Sequence, residues 1–369
     1  PITERIDPLR LGGVHPTGFV AHEDADGVIF LANLDGLVRV GGNRTQLFPL
    51  GSNALVRTLL PLEGRLYVGG YDAWGEFSPG SDGRPRLLDL SRPDGEPLGT
   101  VWSLLHWRDA LWIITSNRVL IHENGVLREL PTPARTTAAF VLADRLYLRA
   151  DGLGLFVLDE AGTEFRPVVG AAMAGDGPSR SPLPWKDGVL LASEKHGLLY
   201  FDGQQLRPWP TEPLQPLQTE QPYVLHALQD GRLLVGTLAG RLHLIDAEGV
   251  WQQAHELVAA PILGISESRE GGLLVSTERG VYRVYWPSAW ERVGAGQGVE
   301  GIVRTLQHRG NAIWLATSTG LYRRDDRASV DAAFARLTAD IVDLRALDWV
   351  GSRAVVASDA GLQYWLEDP

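Results

Sequence analysis

The strongest constraint on this chain is a hairpin phrase that recurs along it. Asn311 to Arg324 reads as an apolar β run, a small polar turn containing Gly320, and a second β run. Leu273 to Tyr282 and Leu233 to Leu242 repeat it, as do Leu190 to Tyr200, Leu111 to Leu120 and Val355 to Leu362. Looser copies lie at Val28 to Val40, Leu66 to Phe77 and Leu146 to Phe156. Nine copies in 369 residues give a mean spacing of 41. Short strands at that period predict a β-propeller with one blade per repeat.

An apolar stretch precedes each hairpin, as in Val56-Arg57-Thr58-Leu59 and its copy Val303-Arg304-Thr305-Leu306. A shorter β segment follows, as in Trp290-Glu291-Arg292-Val293 or Phe334-Ala335-Arg336-Leu337. Four strands per repeat make a blade, so the expected fold is all-β: a single propeller domain over residues 1–369, closed as one ring of nine four-stranded blades. If the fourth repeat is an insertion, the ring has eight. The last repeat stops after its third strand near Trp365, and Thr3-Glu4-Arg5-Ile6 matches the outer-strand pattern. The N-terminal strand is therefore expected to complete the last blade and remove two exposed edges.

Composition agrees with this and narrows the partners. The 42 glycines and 23 prolines suit many tight turns. A net charge of −11 argues against nucleic acid or an anionic membrane as the main partner. With no cysteine there is no disulfide, thiolate metal site or cysteine nucleophile. No apolar stretch is long enough to span a bilayer, and no secretory segment is evident. A mature protein or an excised domain is expected.

The phrase Gly298 to Leu306, followed by Ala312 to Tyr322, resembles the two-component regulator propeller repeat, and Leu111 to Thr115 and Leu234 to Thr237 match that pattern too. The resemblance implies an extracytoplasmic sensor domain of a bacterial signalling protein, joined to a kinase or cyclase. Rings in that family usually have seven blades, so a count of nine departs from it. No Gly-His/Trp-Asp pair of WD40 proteins and no paired-glycine kelch pattern is present.

Catalytic signatures are missing. None of the nine histidines has metal-ligand spacing, and there is no nucleophile elbow, P-loop or dinucleotide fingerprint. Asp24-Ala25-Asp26-Gly27 opens like a calcium loop but lacks the terminal glutamate. No catalytic residue, metal or cofactor is assigned.

The candidate site comes from position. Early inner-strand residues border the mouth of the channel, and by-eye alignment puts Arg57, Trp102, His226, Arg304 and Asp343 there. The unusual turn around Tyr71, Asp72 and Trp74 belongs to the same face. So do two long connectors, Gly170 to Ser181 and Pro210 to Pro222. Arginines there suit a carboxylate, sulfate or sugar acid, and the aromatic rings suit a sugar. The expected function is a non-enzymatic binding or sensing propeller for a small anionic or sugar-like ligand. A polysaccharide lyase or hydrolase, or a protein-interaction scaffold, remains the alternative.

Overall fold

The computed structural model describes residues 2–6, 13–42, 44–80, 83–91, 97–210, 215–269, 271–285, 293–326, 332–338 and 343–366. Nine antiparallel sheets account for nearly all of it, eight with four strands and one with three. The helical segments are short: Ala172–Gly175, Gln215–Glu220 and Ala295–Gln297. No helix among the described residues is long and apolar enough to cross a membrane.

The chain divides into two compact units, Thr3–Pro287 and a second made of Pro1–Ile2 with Ser288–Pro369. The larger unit holds the first seven sheets. Its inner strands are Gly18–Glu23, Val56–Leu62, Val101–Trp107, Thr136–Leu142, Ser179–Trp185, Pro222–Ala227 and Ile262–Glu267. Each inner strand packs on the next, and the seventh packs on the first. The cores follow the same cycle. Each pair of neighbouring sheets shares one apolar cluster, such as Trp74 with Val101, Leu111 and Ile113 between the second and third sheets. Between the seventh and first, Leu274 and Val281 meet Ala21, Leu31 and Val38. Strand alternation explains this: side chains leave a blade on both faces, and both faces are covered by a neighbour.

Closure differs from expectation in two respects. The N-terminal strand Ile2–Arg5 pairs with Gly280–Tyr285, the third strand of the seventh sheet, and does not complete the ninth. Ile6 N–H donates to the Val281 carbonyl at 2.9 Å, and Arg5 Nη2 to the Arg279 carbonyl at 2.7 Å. The cycle of contacts thus closes after seven sheets, although nine sheets are present. The physical reason is that an outer strand carries little sequence information. It packs on one side only, so the Thr-Glu-Arg-Ile pattern fits any vacant outer slot. The competing segment Trp290 to Arg292 lies outside the described residues.

The recurrent Thr-x-x-Gly phrase has a structural cause. The last residue of the second strand is buried and its side chain ties the following turn. Thr237 Oγ1 donates to the Arg241 carbonyl and accepts from the Arg241 N–H, both at 3.2 Å. Thr115, Thr277 and Thr317 do the equivalent, and Asn33 and Ser193 accept turn amides in the first and fifth sheets. Glycine completes the turn because Gly240 has φ +85° and a Cβ there would sit 1.9 Å from the Val258 carbonyl oxygen.

The smaller unit contains the eighth sheet (Val303–Arg309, Ala312–Thr317, Gly320–Asp325, Ala335–Arg336) and the three-stranded ninth (Ala346–Val350, Arg353–Ser358, Gly361–Leu366). They share a core around Trp314, Leu321, Leu347 and Val356.

Candidate ligand-binding site

Each of the seven inner strands carries an irregularity in its pairing near its start. The register shifts between Gly18 and Val20, Val56 and Thr58, Val101 and Ser103, and Thr136 and Ala138. It shifts again between Arg180 and Leu183, Pro222 and Val224, and Ile262 and Gly264. The burial pattern is uniform: the first strand residue is buried and the second is half-buried. A bulge leaves one residue out of the ladder and re-aims its side chain. Here those side chains, Phe19, Arg57, Trp102, Thr137, Tyr223 and Leu263, all line one cavity of about 220 Å³. Arg180, Ser181 and Pro182 represent the fifth sheet in it. One position per sheet thus forms a crown.

The crown is an arginine–aromatic cluster. The Arg57 guanidinium carbon lies 4.8 Å from the Phe19 ring centroid and 4.3 Å from that of Trp102. Arg180 lies 5.1 Å from Trp102 and 5.2 Å from Tyr223. Arg57 Nη2 donates to the Tyr223 hydroxyl at 2.7 Å, and Trp102 Nε1 donates to Ser116 Oγ at 2.9 Å. Such cation–π contacts contribute about 0.5–2 kcal/mol each, more as they are desolvated.

Charge is unevenly matched. Arg180 pairs with Glu194 at 3.4 Å, whereas no carboxylate among the described residues pairs with Arg57. Burial pushes the Arg57 pKa down; the Tyr223 oxygen opposes that and the nearby Arg180 charge adds to it. Arginine remains protonated at neutral pH regardless, so the cavity holds a positive charge that its own walls leave unneutralised.

Both connectors are tied beside this end of the sheets. Arg149, only 1 % exposed, donates through Nε to the Ala174 carbonyl and through Nη1 to Thr137 Oγ1, each at 3.0 Å. It also pairs with Asp151 and bonds the Gly177 carbonyl. Burial, with the Arg180 charge adding and Glu194 opposing, lowers the Arg149 pKa to about 10. The second connector ends in Glu220, whose carboxylate meets buried His243 Nε2 at 2.6 Å and Arg241 at 3.0 Å. Trp251 Nε1 donates to His243 Nδ1 at 3.1 Å, which places the imidazole proton on Nε2, facing Glu220. Residues 211–214 of this connector lie outside the described residues.

The structure brings Arg57 and Trp102 together and distributes the other candidates elsewhere. Tyr71, Asp72 and Trp74 line a separate cavity of about 420 Å³ with Asp89 and Glu129. Asp72 Oδ1 accepts from the Gly99 amide at 2.6 Å, and Trp74 is fully buried. His226 sits three residues beyond the bulge of its strand. Alternation puts it on the face of Val224 and Leu228, which packs against the seventh sheet. Burial lowers its pKa, with Glu267 opposing. Arg304 and Asp343 belong to the smaller unit, where they pair at 4.0 Å; Arg345 also reaches Asp343, at 3.7 Å. Arg304 is that unit's bulge residue. Phe19, Arg180 and Tyr223 were missed by pattern. Their signal is the residue that follows the first buried position of each inner strand.

Among the described residues, no group of three His, Asp or Glu side chains could hold a metal ion. Repeating four-stranded sheets in a closed cycle, with a central cavity at their inner strands, define a β-propeller. Compared by sequence, the chain matches no family and no curated protein. Its fold is similar to the extracellular domain of a hybrid two-component system from B. thetaiotaomicron, with TM-score 0.71 and 14% identity over 99% of this chain and 53% of that one. It is also similar to the extracellular domain of a one-component system from the same organism, at TM-score 0.61 and 17% identity over 98% and 52%. Virginiamycin B lyase from Staphylococcus aureus matches 77% of this chain and 99% of its own, at TM-score 0.59 and 11% identity. The chain spans about half the length of these two extracellular domains.

Proposed function

We propose that this protein is a non-enzymatic ligand-sensing propeller, the extracytoplasmic part of a bacterial signalling protein, and that its ligand binds in the crown cavity. The observation that carries this reading is Arg57: a guanidinium held between aromatic rings in a cavity, without a carboxylate partner among the described residues. A concave site with converging polar groups is the usual form of a small-molecule site. A small anionic or sugar-like molecule would supply the missing acceptor. The fold likeness to extracellular domains of two signalling systems supports the sensing role and the location.

The test is a thermal-shift screen of small organic anions, sugars and sugar acids on the parent and on Arg57→Gln. At least one compound should raise the melting temperature of the parent and not of the variant. A screen in which every stabilising compound acts equally on both proteins would remove the crown as the site.

A further inference from the structure

We infer that the crown selects a planar monocarboxylate carrying an apolar or aromatic body, in preference to a tetrahedral oxyanion or a neutral sugar. This rests on the crown being the ligand site and concerns what that site accepts.

Charge sets the first condition. Of the three arginines around the cavity, Arg149 is paired with Asp151 and Arg180 with Glu194, which leaves the single charge of Arg57. One unmatched cation in a partly desolvated site is neutralised by one negative charge; a dianion would bring in a second, uncompensated one.

Shape and polarity set the second. The faces of Phe19 and Trp102 meet the Arg57 guanidinium, and aromatic faces carry negative potential. The arginine is therefore open to an acceptor along its N–H edge. A carboxylate lying in that plane takes the fork of donors while keeping its oxygens away from the rings. A tetrahedral sulfate or phosphate would turn at least one oxygen toward a ring face. One further donor is available: the Tyr223 hydroxyl accepts from Arg57 and donates to no described residue.

Six further wall residues are apolar: Val20, Leu59, Ala138, Pro182, Val224 and Leu263. Thr58, Ser103, Thr137 and Ser181 add hydroxyls, but Thr137 Oγ1 and Ser181 Oγ already accept from Arg149 and from the Leu225 amide, and Ser103 Oγ is buried. Against the six apolar residues a sugar would bury hydroxyls without partners, whereas a ring or short aliphatic body would not. The cavity of about 220 Å³ corresponds to roughly seven waters at liquid density. That is space for one ring and its carboxylate.

Trp102 provides the readout, because its ring lines the cavity and touches both arginines. Tryptophan emission is titrated with benzoate, inorganic sulfate and glucose, each to about 10 mM, a range that captures millimolar dissociation constants. Benzoate should give a saturable change that Trp102→Phe abolishes and that sulfate and glucose do not reproduce. Arg57→Gln should weaken benzoate at least about tenfold, and Arg57→Lys, which keeps the charge but loses the fork, should fall between. Parent-like circular dichroism certifies each variant. A larger Trp102-dependent response to sulfate or glucose overturns the assignment of ligand class while leaving the crown as a site. So does a benzoate response that survives in Arg57→Gln. Silence from benzoate also overturns it, and the broader binding role then stands or falls on the thermal-shift screen.

Discussion

Replacing Arg149 with methionine removes the one fully buried guanidinium that fastens the first long connector to the fourth sheet. The loss can be sized from its partners. Two carbonyls, Ala174 and Gly177, the Thr137 hydroxyl and the Asp151 carboxylate all lose their donor together. Ala174 is itself buried, so its carbonyl has no easy access to water. Asp151 is 41 % exposed and is rehydrated, so the loss comes from the other orphaned acceptors, at about 1–3 kcal/mol for each one left buried; methionine recovers part of that by filling the volume, leaving about 3 kcal/mol. At roughly 2–4 °C per kcal/mol for a unit of this size, the melting temperature should drop by about 6–12 °C. Calorimetry measures the drop. Amide exchange over residues 170–177 separates a local cause from a global one, because those amides should lose protection well beyond the rest of the unit. Benzoate affinity should also fall, since Thr137 is both a crown residue and an Arg149 partner. A variant that melts within about 2 °C of the parent, with connector protection unchanged, would refute this account of the anchor.

Two further outcomes follow from the seven-sheet unit. Removing residues 1–6 uncovers the Gly280–Tyr285 edge and withdraws Ile6 from the cluster shared by the first and seventh sheets. A lower melting temperature and concentration-dependent light scattering are expected, and a truncated protein that melts like the parent and stays monodisperse would contradict them. His226 has its pKa held below the ordinary 6.5 by burial, so the unfolded chain binds the extra proton first. Its contribution to stability is complete above pH 6.5 and is lost as pH falls through the lower folded value. Urea midpoints between pH 7 and pH 5 should therefore decline, and less steeply in His226→Leu.

Much of the fold could be read from the chain because burial on both faces imposes strong pattern. Second strands such as Ala110–Thr115, Gly188–Ser193 and Leu233–Thr237 are buried at every residue. The Thr-x-x-Gly turns mark their ends. Outer strands are different: Arg44–Phe48 and Val126–Pro131 are largely exposed, so many sequences satisfy them. That is why Thr3 to Ile6 was recognisable as an outer strand while its sheet was not. The count of repeats likewise carries no record of where a ring closes. That depends on packing between Ala21, Leu31, Leu274 and Val281, residues some 250 positions apart.

The site was legible where the inner strand opens with an obvious apolar residue. Val56 and Val101 flag Arg57 and Trp102 directly. In the sixth sheet the apolar pair Val224-Leu225 follows the bulge, and counting from it lands on His226 instead of Tyr223. In the fifth, Ser179 takes the buried position and gives no hydrophobic cue to Arg180. Arg149 interrupts an apolar strand, Arg145 to Ala150, and that break in pattern was the available sign of a buried anchor.

The bulges have a consequence for how such a protein can diversify. A residue inside a ladder is constrained by its cross-strand neighbours, and exchanging it disturbs the pairing and both packed faces. In every sheet of the unit but the fifth, the crown residue lies outside that ladder, beside a buried residue that holds the strand in place. Those six positions already carry six residue types, Phe, Arg, Trp, Thr, Tyr and Leu in turn, among sheets of one design. Substitution there changes the lining of the cavity while the scaffold keeps its hydrogen bonds. Cavity lining and folding are thereby assigned to adjacent residues in the same strand, so that a lineage can alter the first without re-solving the second.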